Sequence, residues 1–135
     1  MILVETSAWL ERDRSTGSTV DRRLAELIAE HADIAVTEPV LMEVLAGARN
    51  DREAFQLRRL MTSFGWIAAD SVGDFEGAAR VYRSCRAQGV TPRGLIDCMI
   101  ASIALRTEST VLTADRDFAH MALVIPLRID PASVR

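Results

Sequence analysis

The sequence predicts an α/β fold in which a parallel sheet is covered by helices on both faces. Three observations carry this expectation. The apolar runs Ile2-Leu3-Val4, Ile34-Ala35-Val36 and Thr110-Val111-Leu112-Thr113 have the length and residue types of buried strands. The segments between them repeat apolar residues at helical spacing. At 135 residues with a hydrophobic fraction of 49%, the chain can build one real core, and a single domain over residues 1–135 is expected.

The elements follow in order. After the first strand, Thr6-Ser7 offers a cap for a short helix through Trp9 and Leu10. Val20 to His31 places Leu24, Leu27 and Ile28 on one helical face. Thr37-Glu38-Pro39 opens a helix with proline in its first turn, which carries Val40, Leu41, Val44 and Leu45 and ends near Gly47. A helix is expected over Arg52 to Ser63, and a strand at Trp66-Ile67-Ala68. Asp74 to Gln88 reads as a helix closed by Gly89. Thr91-Pro92 opens another, with Leu95, Ile96, Met99, Ile100 and Ile103 as its buried stripe. Asp117-Phe118 begins a short helix, and Leu123-Val124-Ile125 forms a last strand.

Composition removes several functions. All 16 basic residues are arginine, so neither Schiff-base chemistry nor a phosphate-steadying lysine is available. A phosphorelay receiver and a haloacid-dehalogenase-type phosphatase both need such a lysine. Anion binding falls to the planar guanidinium fork. The net charge of −3 argues against broad coating of nucleic acid, although bound metal ions reverse the field inside an acidic pocket. Cys85 and Cys98 lack nearby histidines and read as reduced packing residues. The N-terminus has no signal-peptide pattern and no apolar run is long enough to span a bilayer, so a cytoplasmic protein away from the membrane is expected.

Four carboxylates sit in unusual places. Glu5 follows the first strand directly, and Asp115 lies two residues past the strand ending at Thr113, with Asp117 on the same loop. Open α/β sheets bind ligands beyond such strand ends. Asp97 lies within Leu95-Ile96-Asp97-Cys98-Met99-Ile100, and Glu43 within Val40-Leu41-Met42-Glu43-Val44-Leu45. A buried carboxylate is costly unless paired or metal-bound. Ala46 and Gly47 beside Glu43 suggest a close approach by another element. Each acid also has an ordinary reading. A lone acid in an amphipathic helix usually sits at the solvent edge, and Asp115 and Asp117 suit a turn and a helix cap. If the acids converge, their repulsion calls for a cation, and oxygen-only ligands favour Mg²⁺ or Mn²⁺.

These residues also carry a family pattern. The opening Ile2-Leu3-Val4-Glu5-Thr6-Ser7-Ala8-Trp9 resembles an apolar strand followed by Asp-Thr-Ser-x-Trp. Glu38-Pro39-Val40-Leu41-Met42-Glu43-Val44-Leu45-Ala46-Gly47, then Arg93-Gly94-Leu95-Ile96-Asp97, then Thr113-Ala114-Asp115-Arg116-Asp117-Phe118 complete it in order. The chain resembles a PIN-domain ribonuclease, specifically a VapC-like toxin of a type II toxin–antitoxin module. The resemblance implies one PIN-like domain, a three-layer α/β/α sandwich with a short central parallel sheet. It implies Mg²⁺- or Mn²⁺-dependent cleavage of cellular RNA that inhibits translation. It implies neutralisation by a cognate VapB-like antitoxin, and pairing as a homodimer. The catalytic acids carried over are Glu5, Glu43, Asp97 and Asp115, with Glu5, Asp97, Asp115 and Asp117 as metal ligands. The hydroxyls of Thr6, Ser7 and Thr113 would orient them, and Arg93 would contact RNA or antitoxin.

One residue departs from the pattern: the first acid is Glu5 where the family has aspartate. The longer side chain pushes its carboxylate outward, which is expected to weaken metal binding or turnover. The competing reading is therefore an impaired PIN scaffold that acts mainly by binding antitoxin. Arg80, Arg83 and Arg86 read as a solvated helix face. Trp9, Phe55, Phe64 and Trp66 read as core or interface anchors, and His31 and His120 lack ligand spacing.

Overall fold

The computed structural model describes all of residues 1–135. Five short strands, β1 (Ile2–Val4), β2 (Ile34–Thr37), β3 (Gly65–Ile67), β4 (Thr110–Leu112) and β5 (Arg128–Ile129), form one sheet in the order β3-β2-β1-β4-β5. Every pairing is parallel. Helices α1 (Thr6–Asp13) and α2 (Thr19–Ala29) lead to β2, and α3 (Glu38–Ala46) and α4 (Asp51–Met61) lead to β3. The chain then crosses back through α5 (Gly73–Ala87) and α6 (Leu95–Thr107) to β4, and reaches β5 through α7 (Arg116–Ala122). Right-handed crossovers running in opposite directions put α1–α4 on one face and α5–α7 on the other. The helix contacts agree: α1 packs on α2 and α3, whereas α5 packs on α6 and α6 on α7. The result is the three-layer α/β/α sandwich.

The strands are buried because both faces are covered: Leu3, Val4, Val36, Val111 and Leu112 are fully enclosed. Phe118 of α7, Leu24 of α2 and Ile100 and Ile103 of α6 fill the two helix–sheet layers. Trp9 is buried with its indole N–H donating to the Val4 carbonyl at 3.1 Å, and its ring lies 5.4 Å from Phe64. Phe55 and Trp66 are exposed instead. The α5–α6 pair packs closely because Gly77 faces Ser102; a Cβ at Gly77 would lie 2.1 Å from the Ser102 hydroxyl. Gly89, with φ of 77°, supplies the left-handed residue that ends α5. Cys85 and Cys98 are buried free thiols in this layer, and burial pushes Cys98 up to about 11. No helix is long and apolar enough to cross a membrane.

Five expectations need correction. The cap of α1 is Glu5, whose side chain accepts from the Ser7 N–H, so Thr6 and Ser7 lie within the helix. Thr91-Pro92 does not open α6: the helix starts at Leu95 behind Gly94, because residues 91–94 run outside helical geometry. Leu95 points outward, while Ile96 packs half-buried against the core and Met99, Ile100 and Ile103 are buried. Leu123-Val124-Ile125 is not a strand, because the Val124 and Ile125 N–H groups both turn back to the Met121 carbonyl; the last strand begins only at Arg128. Ala46 and Gly47 lie at the surface, and a Cβ at Gly47 would meet only the carbonyls of its own helix, so they mark no close approach.

Candidate metal centre

The strand order reverses between β1 and β4: the chain leaves β1 in one direction and β4 in the other. Ligands collect at such a switch point, beyond the carboxyl ends of the strands. Glu5 is the first residue past β1, and Thr113 the first past β4. Residues that look distant in sequence are brought there by topology.

Glu5 is buried, and its Oε2 accepts three hydrogen bonds. These come from the Ser7 N–H at 3.1 Å, the Ser7 hydroxyl, and the Thr113 hydroxyl at 2.7 Å. Each hydroxyl is itself fixed by a backbone donor: Ala114 N–H reaches Ser7 Oγ at 2.8 Å, and Asp115 N–H reaches Thr113 Oγ1 at 2.9 Å. The loops after β1 and β4 are thereby tied together through one carboxylate oxygen. The neighbouring hydroxyl, Thr6 Oγ1, donates to Glu43 Oε1 at 2.6 Å. Glu43 is half-buried on the second turn of α3, and Asp97 is half-buried in the first turn of α6. Asp115 caps α7 by accepting from the Asp117 N–H at 2.9 Å, so its ordinary role and its place in the site coexist.

Carboxylate oxygens of Glu5, Glu43 and Asp97 lie within 4.8 Å of one another, and so do those of Asp97, Asp115 and Asp117. Asp97 belongs to both groups. This crowding perturbs the acids. Glu5 is pushed up to about 7, first by burial, against the opposing pull of its hydroxyl and backbone donors. Asp97 is also pushed up to about 7, by burial first and then by the charges of Glu5, Asp115, Glu43 and Asp117. Two acids that share a site ionise at each other's expense.

One guanidinium meets the outer part of the cluster. Arg93 Nη2 donates to Asp115 Oδ1 and its Nε to Asp117 Oδ2, both at 2.9 Å, while the Arg93 N–H also reaches Asp117 Oδ2 at 3.2 Å. Burial works to raise Asp117, but the Arg93 bonds prevail and hold it below the usual carboxylate range. The Arg93 side chain is 75% exposed, so it is a rim residue facing both solvent and the acids. Glu5, Glu43 and Asp97 have no such counterion.

The donor set fits a hard divalent cation. It is made only of oxygen, the carboxylates already converge, and the two most perturbed acids are those a cation would relieve. The arginines Arg80, Arg83 and Arg86 lie on the exposed side of α5 and make no ion pair with the clustered acids. A cavity of about 600 Å³ opens elsewhere, lined by Asp74, Ser102 and Arg106. Its only buried acid, Asp74, is already satisfied by Arg106, Ser102 and the Asp70 N–H, so it is a structural pair. Sequence reasoning missed Ser133, whose hydroxyl accepts from the Thr113 N–H at 3.0 Å. No motif marks that serine, and only the tertiary contact identifies it.

Comparison with known proteins agrees with this geometry. The PIN domain profile matches residues 2–124. VapC ribonuclease Mb1587 of Mycobacterium bovis is 39% identical over 129 residues, covering 95% of this chain and 96% of that protein. Ribonuclease VapC11 of Mycobacterium tuberculosis shows the same identity and coverage. Among solved structures, VapBC2 from Rickettsia felis bound to a promoter DNA fragment superposes with a TM-score of 0.76 at 18% identity, covering 100% of both chains. VapC20 of Mycobacterium tuberculosis, a toxin that cleaves the sarcin-ricin loop, gives 0.66 at 16% identity over 95% of this chain and 99% of that one. At these identities the structural matches speak to the fold alone.

Proposed function

The chain belongs to the PIN-domain family, beside the VapC ribonucleases, and from that premise we propose that it is a divalent-metal-dependent endoribonuclease toxin. Its action is to cleave cellular RNA and inhibit translation in the cytoplasm, under restraint by a cognate VapB-like antitoxin, with the toxin acting as a homodimer over one PIN-like domain. The observation that carries this reading is the shared position of Asp97 in two converging carboxylate groups.

Glu5, Asp97, Asp115 and Asp117 would hold Mg²⁺ or Mn²⁺, with Glu43 completing the catalytic acids. Bound metal supplies Lewis-acid polarisation of the scissile phosphate and lowers the cost of ionising water. The remaining work belongs to the protein. Ser7 and Thr113 fix Oε2 of Glu5 and leave Oε1 without a hydrogen bond, available as a ligand. Thr6 restrains Glu43. Asp97, pushed up to about 7 by burial and by the neighbouring acids, is the carboxylate whose ionised form a bound cation would favour most. Arg93 is placed at the rim, where its exposed head can meet an RNA phosphate or an acidic antitoxin group. The Glu5 carboxylate reaches the same group as Glu43 and Asp97, which favours the active enzyme over an impaired scaffold.

The test is purified, antitoxin-free protein incubated with total RNA and Mg²⁺ or Mn²⁺, with cut sites mapped at the new 5′ ends. Cleavage is expected, and EDTA and Asp97→Ala should each abolish it. Cleavage that survives Asp97→Ala without metal would sink the reading.

A further inference from the structure

The segment after β5 lies beyond the residues matched by the family profile, yet it touches the metal centre's scaffold directly. Three contacts show how. The Ser133 hydroxyl accepts from the Thr113 N–H at 3.0 Å and lies 3.3 Å from the Val111 carbonyl, to which it donates. The Val134 N–H donates to the Thr113 carbonyl at 3.0 Å. Both peptide groups of Thr113 are thus held by this tail, while its side-chain hydroxyl holds Glu5 Oε2 and accepts from Asp115 N–H.

The tail is itself anchored. Asp130 is buried, and its N–H donates to the Val111 carbonyl at 2.8 Å. Its Oδ1 accepts from the Ala132 N–H at 2.9 Å, its carbonyl accepts from the Ser133 N–H at 2.9 Å, and Pro131 sits inside the resulting turn. Arg23 of α2 pairs with Asp130 Oδ2 at 3.2 Å from the opposite helical layer. A continuous series of bonds therefore runs from α2 through the Asp130 turn and Ser133 to Thr113 and Glu5.

We propose that residues 130–134 form a strap that sets the position of Thr113, and that Ser133 is a positioning residue for the Glu5 carboxylate. This rests on the metal-dependent reading above. Thr113 lies just past the three-residue strand β4, where the ladder of that strand has ended, and these bonds replace it. A hydroxyl that orients a ligand carboxylate is itself sensitive to its own support, and loss of such outer partners typically costs about 10- to 100-fold in metal affinity or activity. Ser133 is buried and its hydroxyl bonds to the Thr113 and Val111 backbone and to none of the carboxylates, so its effect should fall on metal binding and turnover and leave substrate binding alone.

The experiment measures Mn²⁺ affinity by titration calorimetry and paramagnetic resonance, together with kcat and KM on a cleaved RNA, in Ser133→Ala, Ser133→Thr and Asp130→Asn. Circular dichroism and the unfolding midpoint confirm that each variant is folded. Ser133→Ala is expected to weaken Mn²⁺ binding by about tenfold, the lower end of that range, and to lower kcat with KM unchanged. Ser133→Thr, which keeps the hydroxyl, should restore both. Asp130→Asn loosens the turn without removing Ser133 and should give a smaller loss in the same direction. Wild-type Mn²⁺ affinity in folded Ser133→Ala, or a loss that Ser133→Thr leaves uncorrected, overturns the strap. Wild-type protein that binds Mn²⁺ but cuts no RNA overturns the nuclease reading instead, and the affinity series still decides the strap.

Discussion

Replacing Glu5 by glutamine should stabilise the metal-free protein while destroying its site. Glu5 ionises near 7 in the folded chain and near 4.5 when unfolded, with burial as the dominant cause. A raised carboxyl pKa means that the folded state holds the proton more tightly. Its contribution to stability is complete below pH 4.5 and is lost as pH rises through 7. By pH 8 that loss amounts to about 3 kcal/mol. Glutamine has nearly the same shape, carries no charge, and its amide oxygen can accept from Ser7 and Thr113 as Oε2 does. Its NH₂ would replace Oε1, which accepts no hydrogen bond, and the substitution removes a charge beside Glu43 and Asp97. Glu5→Gln is therefore expected to exceed wild type by about 3 kcal/mol at pH 8 in EDTA, with the gap falling well under about 1 kcal/mol at pH 4.5. Urea unfolding of both proteins at the two pH values measures this. A variant no more stable than wild type at pH 8, or a gap independent of pH, refutes the electrostatic argument. The same variant should bind Mn²⁺ poorly and cut RNA slowly, since strain in the empty site is the counterpart of affinity for a cation.

Three other outcomes are expected. Glu5→Asp withdraws the carboxylate by one methylene to match the family pattern, and severalfold faster cleavage at saturating Mn²⁺ is expected; an unchanged or lower rate refutes the geometric objection to glutamate. Arg93→Ala frees Asp115 and Asp117 from their guanidinium, so calorimetry should show tighter Mn²⁺ binding while KM for RNA rises, with little change in the unfolding midpoint because the side chain is exposed. Arg106→Ala leaves the Asp74 carboxylate, 1% exposed, without its guanidinium, and a loss of about 3 kcal/mol in urea unfolding is expected with Mn²⁺ affinity unchanged.

Much of this fold and its site follows from residue types and their spacing. Local physics was enough for the strands at Ile2, Ile34 and Thr110, because both faces of a parallel sheet are covered and its strands become continuous apolar runs. The helix stops at Gly47 and Gly89 were equally local, as was the absence of lysine chemistry. Four acids were conspicuous because each lay at a strand end or within an apolar helix. Local signals failed where a distant partner decides. Leu123-Val124-Ile125 has the composition of a strand, but no edge is available to it until the chain has turned at Pro126 and met β4 with Arg128. Glu5 became the cap of α1 because its backbone leaves β1 extended, a role no residue preference assigned to it. Long-range packing turns Arg93 to Asp115 and Asp117 and brings Asp97 into two carboxylate groups, neither of which local sequence marks. It alone set the ionisation of Glu5, because burial depends on what packs above a residue. Ser133 shows the same limit most plainly. Its importance lies in a single bond to Thr113, twenty residues away, formed only when the chain's last segment lies beside β4.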